Sequence, residues 1–353
     1  MKILLPFAWI YGGVMAVRNW LFDQGYLPQQ SFDLPVIAVG NLAVGGTGKT
    51  PHTEYLLRLL TQSGQHCAML SRGYGRKTKG YYEAKDGTSA DVGDEPWQVQ
   101  CKFPEVDVCV CEKRVEGIER ILKHLQPDVI LLDDAYQHRY VKPGLSILLT
   151  EYSRPYFSDF VMPAGRLREH RCGAHRADVI IVTKCPEEVS EAEQEVFRKK
   201  IAPLPHQQVF FTRFDYGALY PFGHPLYHKE KDNAQISLQG QRVLLLCGIA
   251  RPKSLIDYLQ PQCADLEVAN FRDHHNFTDK EITDLALRAE QYDKVVTTEK
   301  DAARLASYTL PDALKERLLV QPIEVKFIDN ESHKFTQTII DYVTKNSRNR
   351  SVD

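Results

Sequence analysis

The chain has 353 residues, 43% of them hydrophobic and 25% charged, which suits a globular protein with room for two domains. A formal net charge of -2 excludes the global basic field of a nucleic-acid binder, so any anionic ligand falls to local groups. The 8 cysteines include no C-x-x-C pair, which argues against a zinc site and for reduced thiols in a cytosolic protein.

The first stretch, Met1 to Leu21, reads MKILLPFAWIYGGVMAVRNWL and carries only Lys2 and Arg18 as charges. A signal peptide lacks a clear small-residue cleavage site here. A spanning helix is short, because the apolar run stops at Arg18 and contains Pro6 and Gly12-Gly13, whereas a bilayer core is roughly 30 Å thick. Two readings stay open from these residues: an interfacial helix with Trp9, Tyr11 and Trp20 at headgroup depth, or a helix packed on the core.

Leu34 to Val39 is a buried-strand pattern that runs into a glycine-rich loop, and a helix is predicted from Thr50 to about Ser63. Further strands follow at His66 to Leu70, Val106 to Cys111, Asp128 to Leu132, Leu145 to Thr150 and Asp178 to Thr183. Strands without polar alternation, separated by helices, predict an α/β fold whose mainly parallel sheet is covered on both faces. Val209 to Phe214 reads as extended, and from Arg242 a new α/β unit begins, with a strand to Leu246 and another at Lys294 to Thr298. The expected organisation is an N-terminal helix over 1–28, a P-loop domain over 29–206, a hairpin-like linker over 207–241 and a smaller α/β domain over 242–353. The tail after Thr344 reads as frayed.

The motif G-N-L-A-V-G-G-T-G-K-T, from Gly40 to Thr50, stands between a strand and a helix, as a phosphate-binding loop requires. Backbone N–H groups of Ala43, Val44, Gly45, Gly46, Thr47 and Gly48 would surround phosphate oxygens at the positive end of the helix. Lys49 would reach the β- and γ-phosphates and Thr50 would offer its hydroxyl to Mg²⁺, so ATP and Mg²⁺ are the expected ligands. Ala43 stands where glycine is usual; Gly45 and Gly46 can supply the freedom instead. The strand Ile130-Leu131-Leu132 ends in Asp133-Asp134, a Walker-B pattern whose carboxylates share the crevice with the loop and can hold the metal shell. Gln137, His138 and Arg139 follow closely enough to line the site or to support it.

On these and further motifs the chain resembles the tetraacyldisaccharide 4′-kinases of lipid A biosynthesis. The matching stretches are V-G-N-L-A-V-G-G-T-G-K-T-P (39–51), S-R-G-Y-G (71–75), V-G-D-E-P (92–96), D-D-A-Y-Q-H-R (133–139), P-A-G-R-L-R-E (163–169), D-H-H-N-F (273–277) and T-E-K-D-A (298–302). The resemblance implies transfer of the ATP γ-phosphate to the 4′-hydroxyl of a tetraacyldisaccharide 1-phosphate, giving lipid IVA. It also implies a peripheral enzyme on the cytoplasmic face of a bacterial inner membrane, which favours the interfacial reading of the first helix, and no obligate protein partner is expected.

The resemblance assigns Asp94 as the base toward the attacking hydroxyl and pairs it with His274, with His275 as the alternative partner; helix capping is the structural alternative for Asp94. Glu169 is a further metal-shell candidate or else a surface ion pair. Arg72, Arg76, Arg114 and Arg168 are candidate phosphate clamps, since guanidinium matches phosphate bidentately. Glu299, Lys300 and Asp301 have no assigned role. A GTPase would show an Asn-Lys-x-Asp guanine reader, and Thr183-Lys184-Cys185-Pro186 lacks its Asp; a non-catalytic nucleotide sensor would need no base.

Overall fold

The computed structural model describes residues 4–223, 236–249, 252–272, 275 and 277–347. The apolar helix α1 (Leu5–Asp23) starts with a proline in its first turn and lies ahead of the sheet. The central strand β1 (Val36–Asn41) is buried along its whole length. Its loop leads into α2 (Lys49–Gln62), which buries Leu56, Leu57 and Leu60 against the sheet, each contributing on the order of 1.5–3 kcal/mol. Then come β2 (Cys67–Ser71), β3 (Tyr82–Glu83), α3 (Ser89–Val92), α4 (Asp94–Lys102), β4 (Asp107–Val110), α5 (Arg114–His124), β5 (Val129–Asp133), β6 (Leu145–Glu151), β7 (Val179–Thr183) and α6 (Glu191–Ile201).

Beyond them lie β8 (Gln208–Tyr216), β9 (Tyr220–Pro221), β10 (Arg242–Cys247), α7 (Lys253–Leu259), β11 (Asp265–Asn270), α8 (Asp279–Ala289), β12 (Lys294–Thr298) and α9 (Glu299–Leu305). The last elements are α10 (Asp312–Lys315), β13 (Leu318–Gln321), β14 (Ile323–Phe327) and α11 (Ser332–Asn346).

Among the described residues the strands form two sheets. The larger has the order β14-β8-β7-β6-β1-β5-β2-β4-β3 and the smaller β11-β10-β12-β13-β9. The pairings of β1 with β5 and β6, of β2 with β4 and β5, and of β7 with β6 and β8 are parallel; β3 and β14 add antiparallel edges. The register sets Val39 beside Asp133, so the loop after β1 and the acids closing β5 leave the sheet on the same side.

Two expected boundaries are corrected. Among the described residues of the expected 207–241 hairpin-like linker, β8 is instead a strand of the large sheet whose antiparallel partner is β14 from far along the chain, while β9 already belongs to the small sheet. Nor does everything after 242 stay in the second unit. β14 returns to the large sheet, and α11 packs on it through Phe335, Ile339 and Val343. The Tyr342 hydroxyl donates to the Val36 carbonyl at 3.1 Å and accepts from the Val36 N–H at 3.0 Å, which anchors that return.

Candidate active site

The phosphate loop is shaped by its contacts. Val44 N–H donates to the Arg166 carbonyl at 2.8 Å and Arg168 N–H to the Leu42 carbonyl at 2.7 Å, with Ala43 bridged to Leu167. A strand-like pairing thus holds the first half of the loop, and an alanine suffices where a free loop would need glycine. The second half ends at Gly48, whose φ of 90° lies in the left-handed region and where an added Cβ would come within 2.5 Å of Phe214 Cζ. Asn41 donates from Nδ2 to the Thr47 hydroxyl at 2.7 Å, and the Thr183 hydroxyl donates to the Thr47 carbonyl at 2.8 Å. Behind the loop, buried His52 donates from Nδ1 to the Gly48 carbonyl at 2.7 Å, while Nε2 meets the Thr212 hydroxyl at 3.0 Å. Burial lowers this imidazole to about 4, so the ring is neutral.

In front of the loop lies a cleft of about 760 Å³. Val44, Gly45 and Lys49 line it from the loop, Asp133 and Asp134 from the end of β5, and Asp94 and Glu95 from the head of α4. Arg72, Arg114 and Arg168 reach it from three other segments, and Tyr11, Met15 and Arg18 of α1 close one wall. Asp94 arrives there because Gly93 turns the chain with φ 92° and ψ 157°, a conformation for glycine alone, at a point where a Cβ would sit 2.7 Å from the Tyr74 carbonyl. Asp94 is then the first residue of α4 rather than its cap.

The two strand-end acids differ. Burial, then Glu95 and Asp134, push the Asp133 carboxyl up to about 7, with Lys49 and Arg114 working against them. Burial would also raise Asp134, but Lys49 and Arg168 outweigh it and hold its carboxyl below the usual range. Arg168 donates to both Asp134 oxygens at 2.9 and 3.2 Å, and Lys49 Nζ lies 3.7 Å away.

Several expected residues sit elsewhere. Glu169 is not a lining group of the cleft. It is 1% exposed and accepts from Asn19 at 2.6 Å, Arg176 at 2.8 Å and Gln137 at 3.0 Å, which fastens α1 to the loop after β6. Arg76 turns to Glu112 at 2.6 Å and the Gly80 carbonyl at 2.7 Å, bracing a cleft wall instead of facing a ligand. His275 pairs with Glu281 at 3.1 Å and packs against Phe271 and Phe277, so it is no partner of Asp94. His274 lies outside the described residues. Thr50, the second residue of α2, stands in the first turn after Lys49. His138 is in the cleft; burial first, then Arg114, Arg18 and Arg72, lower it to about 4, and its Nε2 accepts from Arg114 N–H at 3.3 Å.

Sequence reasoning missed Arg304 of α9, whose guanidinium donates to Asp94 Oδ2 from Nε at 2.9 Å and from Nη2 at 2.8 Å. A signal existed: Arg304 follows Asp301 by three residues on one helix, and the two pair at 2.9 Å.

A phosphate-cradling loop, a strand-end acid pair and a carboxylate at a helix head, all opening on one cleft, define a P-loop kinase. Comparison with known proteins narrows the class. The profile of the family described as Tetraacyldisaccharide-1-P 4'-kinase matches residues 1–344, and the chain belongs to that family. It is 45% identical to the tetraacyldisaccharide 4'-kinase of Bacteroides thetaiotaomicron, over 99% of this chain and 95% of that one. It is likewise 45% identical to the same enzyme of Flavobacterium johnsoniae, with 98% of each chain covered. Among solved structures, LpxK from Aquifex aeolicus in complex with ATP superposes with a TM-score of 0.74 at 28% identity, covering 97% of this chain and 98% of that one. The chain is accordingly a kinase of lipid A biosynthesis.

Proposed function

We propose that this cleft takes ATP and Mg²⁺ and passes the γ-phosphate to the 4′-hydroxyl of tetraacyldisaccharide 1-phosphate, with Asp94 as the base and the product lipid IVA. The observation that supports it is the shared cleft: Asp94 lines the same space as Lys49, Asp133 and Asp134. Lys49 neutralises charge on the terminal phosphates, and the loop N–H groups hold their oxygens. Arg72, Arg114 and Arg168 line the walls against which phosphates would rest.

The donor set fits a hard divalent cation. Asp133 is buried among carboxylates and lacks enough positive charge to ionise easily, which a cation would correct. Among the described residues no three acidic, His or Cys groups form a metal cage by themselves. Thr50 and Asp133 would hold Mg²⁺, which when bound neutralises the β- and γ-phosphate oxygens. Asp134 is the weaker ligand because Lys49 and Arg168 already share its charge. Asp94 would take the hydroxyl proton as the 4′-oxygen attacks the γ-phosphorus and the bond from that phosphorus to the β,γ-bridging oxygen breaks, with ADP leaving.

We place the enzyme at the cytoplasmic face of the inner membrane, held by α1. No helix among the described residues is long and apolar enough to cross a membrane. Yet Phe7, Ile10, Val14 and Val17 recur at helical spacing, each at least 59% exposed, while Tyr11, Met15 and Arg18 face the cleft. An acyl-anchored acceptor would thus meet the cleft at the bilayer surface. The test is transfer of radiolabelled γ-phosphate from ATP to the lipid disaccharide in mixed micelles. Label should appear on the 4′-oxygen, require added Mg²⁺ and vanish with Lys49→Ala; transfer that survives chelation or this substitution would refute the reading.

A further inference from the structure

Asp94 is gripped from the other sheet. Arg304 belongs to α9, which follows β12 of the small sheet, whereas Asp94 opens α4 beside the large one. The guanidinium is 4% exposed, and two of its nitrogens donate to the same carboxylate oxygen, Oδ2. It is itself held in place. Nη1 donates to Asp301 Oδ1 at 2.9 Å and to the Gly248 carbonyl at 3.3 Å. Asp301, fully buried, accepts at Oδ2 from the Gly248 N–H at 2.9 Å and from the Thr298 hydroxyl at 2.7 Å. A chain of charge-assisted bonds therefore runs from the end of β10 through Asp301 and Arg304 to the Asp94 carboxylate.

We propose that Arg304 is the positioning residue for the base: it fixes the rotation of the Asp94 carboxylate and keeps it ionised. The inference rests on the reading of Asp94 as base. A planar, fully charged fork is suited to both tasks, and a carboxylate that must take a proton from a neutral hydroxyl needs both. The surface ion-pair reading does not apply, because burial removes the solvent screening that makes exposed pairs weak. Charged or titratable groups that line the cleft together with Asp94 include Glu95 on its own helix, Arg72 and Tyr74 after β2, Glu112 and Arg114 after β4, and Lys49, Asp133, Asp134, His138, Arg18 and Arg168 on the other walls, while Asp301 lies behind Arg304. Arg304 is the group bonded to the carboxylate through two nitrogens.

The experiment is the pH profile of kcat for phosphoryl transfer in Arg304→Gln and Arg304→Lys, with ATP affinity and thermal melting measured alongside. For Arg304→Gln we expect kcat to fall roughly 10²-fold through misplacement of the base. We also expect the acidic limb of the profile to move up by about one pH unit, since loss of an adjacent cation favours the protonated acid. ATP affinity should stay unchanged. Arg304→Lys keeps the charge and loses the fork, so its acidic limb should stay near the wild-type position while kcat still falls. Should Arg304→Gln fail to fold, Arg304→Lys decides: wild-type kcat in a folded Arg304→Lys protein overturns the inference. So does an acidic limb that does not move in a folded Arg304→Gln protein. Asp94→Asn separates the two levels. If it is inactive while the Arg304 variants behave as wild type, only the positioning role falls; if it turns over normally, the base reading itself falls.

Discussion

At Gly48 the phosphate loop meets its support. The positive φ leaves no room for a side chain against Phe214, and the carbonyl of the same residue accepts from His52 on the next helical turn. On that imidazole Nδ1 carries a proton toward a carbonyl that can only accept, and burial disfavours a second proton on the ring. Its pKa, lowered from 6.5 to about 4, fixes a sign. The unfolded chain binds the proton first as pH falls, so this contribution is complete above 6.5 and is lost as pH drops toward 4. The loss amounts to about 3 kcal/mol at most. In urea unfolding without nucleotide, wild type should therefore lose more stability over that range than His52→Gln. Parallel curves for the two proteins would refute the role. The sequence showed His52 only as a residue after the P-loop; its coupling to β8 depends on Thr212, 160 positions away, and no local pattern encodes that.

Among the elements, α1 and α4 do the most. One stripe of α1 (Tyr11, Arg18, Asn19) bonds to the Arg168 carbonyl, the Gln137 carbonyl and Glu169, while the opposite stripe is bare apolar surface. The sequence left an interfacial and a packed helix open, and this helix has a packed face as well as an unpartnered one. Ile10→Glu with Val14→Glu should leave melting unchanged, because both positions are exposed, and should shift the protein from the vesicle pellet to the supernatant. Unchanged sedimentation would remove α1 as the membrane contact. The helix α4 lies between α2 and α9. Lys102 bridges Glu54 of α2 and Glu299 of α9, each at 2.5 Å, Gln98 donates to Glu54 at 2.8 Å, and Trp97 donates to the Ala303 carbonyl at 3.1 Å. Burial pushes Glu299 up to about 7 against the pull of Lys102, so this seam is tightly balanced rather than strongly stabilising. The T-E-K-D-A motif is explained by it: Glu299 and Asp301 build the dock for α4 and Arg304. Sequence could flag that motif, yet its purpose appears only when α9 is seen against α4.

For the whole molecule, the core strands were legible because both faces are covered and their residues are continuously apolar; β1, β5 and β7 are buried throughout. The edges were not. β11 alternates exposed and half-buried positions over most of its length and carries Asp265 and Glu267, so no apolar run announces it. β14 rejoins the large sheet only through a partner more than a hundred residues earlier. The P-loop and strand-end acids could be read as one site because register and topology force them together. The approach of α4, which brings Asp94 to the cleft and docks against α9 of the second unit, required the fold. On the proposed mechanism, phosphoryl transfer depends on Asp94, which shares one cleft with Lys49, Asp133 and Asp134. The most direct test is Asp94→Asn under saturating Mg²⁺ and ATP, with transfer to tetraacyldisaccharide 1-phosphate and ATP affinity measured on the same protein. The account predicts a fall in kcat of about 10²–10⁴-fold with ATP affinity preserved; turnover close to wild type would contradict it.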